Sequence, residues 1–509
     1  MKDEQEFCNK IDDFVKSLLG LYQPRKIRDR KVIHDALYGS NIFYEHEITV
    51  LDTPLLQRLR QVHQTGLCFL TFPTSIHSRF DHTLGVMSLV NRFVKVLNIR
   101  KQEEIKTYIT EDPYRGDLAH LRMAALLHDS GHSFFSHASE QIYETYNIIN
   151  KLKEQPRFSD CSAHEILSYY IVKSASFNSW FKENIREVKI DLDTVANMII
   201  GEHKDPEKFY LAEIINGPFD ADKLDYITRD SFFSGLKLVI DIERLFHTIT
   251  TWYNSKTKKQ HLILKSYIPM EQIVFSKMML FSTLYHHQKV KSCDSMLNSL
   301  IDYMNHYAPN FPCPFKGRFL NDPVDYLQFT DYDILDFLLS ENDHFIQQLI
   351  RNLIQRNLYM RALTISASTI KNWRDCYQAY ITRAINSKSL RNELQKNIWD
   401  DISPELKKKY NLYPTQIQVS LPKIPPIDED ETLNAYVLPT LKGDPVPVRE
   451  LFPVGEWLMG YMDRKWKGHI FCPPEDEVRN EVYRIAIEIL SNKGIEFDED
   501  RCRWASHIY

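Results

Sequence analysis

The sequence predicts a mainly α-helical chain with a small α+β portion at its C-terminal end, and three observations carry that prediction. Glycine is scarce, with 15 in 509 residues, against an average usage of about 7%. Apolar residues recur at helical spacing over most of the first 410 positions. A proline-rich, acidic stretch, 421–431, then separates this pattern from two short strand-like runs and one last helix. The expected divisions are an N-terminal helix and basic connector (1–30), a core (31–305), a helical extension (306–410) and a small appendage (411–509).

The formal net charge of −5 offers no overall cationic field, so nucleic acid is not expected as the main partner. Eight dispersed cysteines without a CxxC pair read as reduced thiols. Met1 to Glu6 is no secretion signal, and no apolar run approaches the ~18 residues of a membrane span. The expectation is a cytoplasmic protein without membrane contact.

In chain order, residues 8–20 form an amphipathic helix with Ile11, Phe14, Val15, Leu18 and Leu19 on one face. Residues 24–31 are the most basic run, either a solvated connector or a phosphate contact. Asp52-Thr53-Pro54 opens the next helix as a capping group, and Leu67 to Pro73 reads as a strand. Arg79 and His82 begin a helix continued by Leu89, Val90, Phe93 and Leu97.

The densest titratable stretch follows. Ala124 to Leu127 read as the buried end of a helix, from which His128 and Asp129 emerge side by side, with His132, His137 and Glu140 after a turn at Gly131. Three histidines and two carboxylates behind an apolar run suit a metal site with acid and base groups beside it. A hydrogen-bonded core pair followed by a linker is the alternative. His164-Glu165 starts a further helix and suits either a supporting role toward a catalytic group or simple first-turn stabilisation. Between Asp220 and Asp230, four aspartates stand on a helix with Asp222, Tyr226, Arg229 and Asp230 near one face, costly to bury unless they meet a cation. Residues 249–268 read as a hairpin, and Pro269 as the start of a helix to Tyr307 that carries His286, His287 and Lys289. Beyond the linker, Ala435 to Leu438 and His469 to Cys472 read as strands and Glu475 to Lys493 as a helix stopped by Gly494.

The order His82, then His128-Asp129, then Asp222 resembles the H…HD…D signature of HD-domain phosphohydrolases. The segments Gln64 to His82 and Asp222 to Asp230 are more specifically similar to the deoxynucleoside triphosphate triphosphohydrolases, especially the SAM-and-HD-domain dNTPases. The resemblance covers about residues 30–305, without the SAM domain, and leaves 411–509 unmatched. It implies that His82, His128, Asp129 and Asp222 hold one divalent metal, with Fe, Mn, Ni, Co and Zn all compatible with the donor set and Mg bound to the nucleotide phosphates. It implies hydrolysis of a dNTP to deoxynucleoside and inorganic triphosphate, with His137 as general acid oriented by Glu140. His132, Arg79 and Lys223 match phosphate contacts, and Gln64, Tyr226 and Asp230 match sugar contacts.

His286 stands where the family stacks a tyrosine on the base, and Met278, beside Lys277, where it has a phosphate-binding arginine. Lys31, Val32, Asp52, Gln57 and Arg60 match an activating guanine-nucleotide site between subunits, which implies a homo-oligomer, dimer or tetramer; His34 and Tyr38 depart from that pattern. An HD-type phosphodiesterase or nucleotidase on another nucleotide or single-stranded nucleic acid, and a non-enzymatic nucleotide sensor, are the alternatives.

Overall fold

The computed structural model describes residues 2–25, 29–100, 109–238, 240–307, 320–423, 431–439, 443–452 and 465–506. Lys26 to Arg28 of the basic run and 424–430 of the linker lie outside them. The chain divides into two compact units. One comprises Met1–Leu280, Cys313–Ile334 and Glu431–Phe452; the other comprises Phe281–Pro312, Leu335–Asp430 and Pro453–Tyr509.

In the first unit, the helix Lys2–Leu19 buries Phe7, Ile11, Phe14, Val15 and Leu19. The strands Arg30–Asp35 and Gly39–Tyr44 pair antiparallel, with Val32 opposite Ile42 and both exposed. The centre is built from three helices. Asp117–Leu127 is buried on nearly every side: it ends in the apolar run Met123 to Leu127, and its buried Arg122 is paired with Glu47. Against it packs Arg79–Arg100, which is packed in turn by Ala221–Ser234. The last of these is capped by Asp220, which accepts from the Lys223 amide at 2.6 Å, and stops at Gly235 with φ of 74°. Helices Ala163–Lys173 and Leu192–Ile199 close the other side of Asp117–Leu127.

Several local expectations change. Leu67 to Pro73 is no strand: Gly66–Leu70 forms a 3-10 turn. Gly66 takes φ of 58° and the Cys68 and Thr71 amides donate to carbonyls three residues back, so the apolar run coils into the core without a ladder partner. Asp52 caps the C-terminal end of helix Glu45–Leu51, and Thr53 stands at the start of the short helix Pro54–Gln57, which tightens to 3-10 geometry over Arg58–Gln61. The span 269–307 is three pieces: Ile268–Leu280, a π-helical turn Phe281–Tyr285, and Gln288–Tyr307. The His286 amide donates to Phe281 at 2.8 Å, a five-residue step that interrupts the ordinary register.

The expected hairpin is Ile249–Asn254 with Lys259–Leu264, turned through Lys258 at φ of 58°. Tyr436–Val437 then lies parallel to Ile263 and Leu264, and Val446–Pro447 completes a four-stranded sheet. Residues 431–452, read from the sequence as part of the appendage, thus join the first unit. In the second unit, Met360–Ile365, Gly468–Cys472 and Gln418–Ser420 make an antiparallel sheet with Gly468–Cys472 in the middle. The helix Asp476–Asn492 buries Val478, Val482, Ile485, Ala486 and Leu490 in that unit's core, with Leu363, Ile398 and Ile470.

Candidate active site

His82 sits one turn into helix Arg79–Arg100, His128 and Asp129 follow the end of Asp117–Leu127, and Asp222 lies in the first turn of Ala221–Ser234. The three helices bring all four together. His82 Nε2 lies 2.9 Å from Asp222 Oδ1, 3.3 Å from His128 Nε2 and 3.6 Å from Asp129 Oδ2, while His128 Nε2 lies 3.4 Å from Asp129 Oδ1. Ligand atoms held ~2.1 Å from a first-row cation stand about 3.0–3.4 Å apart at right or tetrahedral angles, so these separations are those of one coordination shell.

The outer ring nitrogens are already committed. His82 Nδ1 donates to Asp225 at 2.7 Å and His128 Nδ1 to the Ala125 carbonyl at 2.8 Å, which leaves both Nε2 atoms facing the other candidate groups. Burial disfavours a charged His82 ring, but hydrogen bonds to Asp222 and Asp225, with Asp129 nearby, raise its pKa to about 10. Burial likewise opposes the charge on Asp129 and Asp222; His128 and Arg79 hold the first, and His82 and His128 the second, below the usual carboxylate range. Two carboxylates and two imidazole nitrogens aimed at one point suit a divalent cation, which would take the place of the proton on His82 Nε2.

Asp225 is itself gripped by Arg229, whose Nε and Nη2 donate at 2.8 and 3.0 Å, and Arg229 Nη2 also reaches Asp35 at 2.9 Å. This contact depends on Gly85, because a Cβ there would overlap Asp225 Oδ1 and Arg229 Nη2. Gly85→Ala is expected to displace the His82 support and weaken metal affinity ~10–100-fold, measured by competition with a chelating dye; unchanged affinity would show the helices can part without cost to the site. Gly131 is needed for a close approach rather than for the chain turn expected of it: a Cβ would strike the His164 carbonyl and the Ser168 amide, and its own amide donates to Ser168 Oγ at 2.8 Å.

Beside the four-residue set stands a second group, His132, His137, Glu140 and His164. Glu140 accepts from His137 Nδ1 at 2.7 Å and from the ring and amide of His164, both at 2.9 Å. Burial opposes charge on both partners, yet the pair holds Glu140 well below the usual range and raises His164 to about 9. The His132 ring stacks on His164 with centroids 3.8 Å apart. Burial, together with the neighbouring Arg79 and His164 charges, pushes its pKa well down. Both its nitrogens are buried without a hydrogen-bond partner among the described residues, and Nε2 lies 3.5 Å from Asp129 Oδ1. His137, by contrast, is 60% exposed at the side chain. The arrangement offers an accessible imidazole backed by a carboxylate, next to a neutral, buried one.

The other candidates divide. Gln64 is buried with Oε1 unpartnered among the described residues. Arg79 is not open to solvent: it donates to Asp129 Oδ2 at 2.9 Å and Ser136 Oγ at 3.0 Å. Lys223 donates to Asp220 and the Gly217 carbonyl at 2.8 and 2.9 Å. Tyr226 is half-buried on the same helix, and Asp230 pairs with His77 Nε2 at 2.7 Å. Glu165 accepts from the Ser162 amide at 2.6 Å and Asn216 at 2.8 Å, so it caps its helix and braces a loop, and its charge helps to raise the pKa of His164. His286 belongs to the second unit, where burial lowers its pKa to about 3. In the candidate regulatory set, Lys31 pairs with Asp52 at 3.2 Å and Arg60 donates to Gln57 at 2.8 Å, while Val32 is 64% exposed.

Sequence reasoning passed over Arg58. Its guanidinium donates to the His132 carbonyl at 2.7 Å and to that of Ser130, fixing the loop after Asp129 from below, and burial lowers its pKa to about 10. No periodic signal marks a side chain whose partners are backbone oxygens.

Residues 79–230 match the HD domain, the segment that carries all four converging groups. The chain thus has an HD domain over that segment, and within it His82, His128 and Asp222 lie close enough to hold one metal ion. It is 26% identical to the uncharacterized protein MJ1154 of Methanocaldococcus jannaschii over 67% of this chain and 62% of that one. It is also 25% identical to the deoxynucleoside triphosphate triphosphohydrolase SAMHD1 homolog of Dictyostelium discoideum, over 69% and 63%, and to SAMHD1 of Bos taurus, over 65% and 58%. The chain therefore spans less than two thirds of the length of these relatives. Its fold is shared with a hypothetical protein of Aquifex aeolicus known from a crystal structure, with a TM-score of 0.59 at 20% identity, over 89% of this chain and 100% of the other.

Proposed function

We propose that the chain hydrolyses deoxynucleoside triphosphates to deoxynucleoside and inorganic triphosphate. The observation that carries this reading is the adjacency of the four converging groups to the His132–His137–Glu140–His164 cluster, in a chain similar to proteins named for that activity. His82, His128, Asp129 and Asp222 would hold one divalent cation, from Fe, Mn, Ni, Co or Zn, with Mg on the nucleotide. That cation would supply Lewis acidity at the phosphate and lower the pKa of water.

The protein side chains do the rest. His137, exposed and held by Glu140 through Nδ1, presents Nε2 to the leaving 5′ oxygen and donates its proton there. His132, kept neutral by burial and nearby cations, offers a ring N–H to a phosphate oxygen. Arg79 neutralises charge from its place on Asp129 and Ser136, and Lys223 from the rim. Gln64, with a buried unpartnered oxygen, accepts from a sugar hydroxyl, while Tyr226 and Asp230 bound the deoxyribose.

The test is to incubate metal-reconstituted protein with each dNTP and NTP and identify products by mass. Deoxynucleoside plus triphosphate is the expected pair. Nucleoside monophosphate would move the chain to the phosphodiesterases, and tight binding without turnover would make it a sensor.

A guanine nucleotide at Lys31, Val32, Asp52, Gln57 and Arg60 is part of the same proposal, as an activator that joins subunits. The Asp52 carboxylate would accept from guanine N1 and N2, and Arg60 would donate to O6 or N7. GTP or dGTP is expected to shift the sedimentation coefficient toward a larger oligomer by mass action, and Asp52→Ala to abolish the shift; an oligomeric state indifferent to both nucleotides would leave Asp52 as the cap of helix Glu45–Leu51. We assign the protein to the cytoplasm, in keeping with the absence, among the described residues, of any helix long and apolar enough to cross a membrane.

A further inference from the structure

We infer that Asp331, nearly two hundred residues beyond the HD motif, is a positioning residue of this site, acting through the loop that links His132 to His137. The inference rests on the hydrolytic reading above for its kinetic consequence, but its structural core does not.

The loop is locally unfavourable. Phe135 and Ser136 take φ of 52° and 50° in succession, a left-handed conformation that costs each non-glycine residue of order 1 kcal/mol. Ser136 is also the residue from which helix His137–Tyr143 starts. The backbone at this point is buried, so its N–H groups need acceptors.

The Ser136 amide donates to the Ser133 carbonyl at 3.0 Å, and the acceptor for the Phe135 amide is Asp331. It is itself buried, and Oδ1 accepts from the Phe135 amide at 2.6 Å while Oδ2 accepts from His63 Nδ1 at 2.6 Å and the His63 amide at 2.9 Å. The His63 carbonyl then accepts from Ser136 Oγ at 2.6 Å, and Ser136 Oγ accepts from Arg79 Nε at 3.0 Å. Arg79 in turn reaches Asp129. One carboxylate thereby fixes the end of the loop next to His137 in two ways: directly at the Phe135 amide, and through His63 at the Ser136 hydroxyl that aims Arg79.

The segment bearing it is seated independently. Tyr326 stacks on Phe134 with centroids 5.5 Å apart and planes 8° from parallel, and Phe329 meets the same ring edge-on at 6.3 Å. Tyr146 donates to the Leu320 carbonyl at 2.7 Å. Residues 320–331 therefore dock on the loop through apolar contacts as well, so changing Asp331 alone should leave the segment in place.

The experiment compares wild type, Asp331→Asn, Ser136→Ala and the double variant, all metal-reconstituted. Asparagine keeps the shape but turns an N–H toward one of three donors. For Asp331→Asn, hydrogen–deuterium exchange should rise in residues 131–140 and not in helix Asp117–Leu127. Metal stoichiometry should be unchanged, KM should stay near wild type, and kcat should fall ~10–100-fold. Because both residues act through one chain of contacts, the double variant should lose little more than the worse single variant. Unchanged exchange in 131–140 would overturn the inference whether or not the protein proves to be a dNTPase. So would an unaltered kcat, or strictly additive losses, in an active enzyme. A wild type inactive on every nucleotide would instead defeat the hydrolytic reading and leave the exchange measurement to decide the role of Asp331. If Asp331→Asn fails to fold, His63→Asn, which removes the Nδ1 contact on Oδ2 and the ring's stacking on Phe69 but keeps the His63 backbone contacts, serves in its place with the same expected pattern.

Discussion

Asp222→Ala should leave a folded protein with neither bound metal nor turnover. Asp222 Oδ1 stands 2.9 Å from His82 Nε2 and is the candidate metal ligand contributed by helix Ala221–Ser234. Without it the remaining carboxylate, Asp129, is shared with Arg79, so the site keeps little net negative charge to offset the dehydration of a divalent ion. Folding should survive, because Asp222 is one-third exposed at the side chain and the helix start is secured by Asp220 instead. Elemental analysis after reconstitution, turnover and circular dichroism give the answer. A corroborating readout is thermal: metal should raise the wild-type melting temperature, as any ligand selective for the native state does, and should not raise that of the variant. Full metal stoichiometry in Asp222→Ala would remove this residue from the ligand set.

His137→Ala should keep metal and nucleotide affinity while kcat falls ~10²–10⁴-fold, the usual contribution of a positioned general acid. The side chain is exposed, hydrogen-bonded to Glu140 and edge-on to the His132 and His164 rings, so its removal costs the fold little. Glu140 keeps its two bonds to His164 in the variant, which preserves the neighbouring wall of the site. A substrate whose leaving group needs no protonation, such as a p-nitrophenyl ester, should lose far less. If KM rose and kcat did not change, His137 would be a binding residue and the acid would have to be His132 or Glu140.

What the sequence disclosed follows a physical pattern. His82, His128, Asp129 and Asp222 stood out because clustered titratable side chains beside apolar helix faces are costly without a function, and the helical phase of 221–234 was readable from its aspartates. The partners that orient them were less legible. Asp225 and Arg229 lie in the same block, but their place behind His82 depends on the bare backbone at Gly85, a feature of packing that one glycine in a helix does not announce. Arg58 and Asp331 bind backbone groups, and such contacts leave no spacing to read. The strand expected at 67–73 failed because an apolar run fits a buried 3-10 turn as well as a ladder, and only the left-handed Gly66 distinguishes them. Residues 431–452 were misgrouped because a two-residue strand carries almost no pattern, and its partner lies far upstream.

That last pairing has a consequence for synthesis. The strand Lys259–Leu264 leaves the ribosome long before Tyr436–Val437, which pairs parallel to it. At ~5–20 residues per second, the interval is about ten to thirty seconds. During that time the nascent chain presents Ile263 and Leu264 on an uncovered strand edge, the kind of template on which chains associate wrongly. The residues made in the interval belong mostly to the other unit, so one unit can begin to consolidate while its neighbour waits for its closing strand. Translation pauses within 265–435, or a shortage of chaperones that shield such edges, should lower the yield of native protein more than equal pauses after residue 452, and the excess aggregate should be enriched in chains arrested before Tyr436.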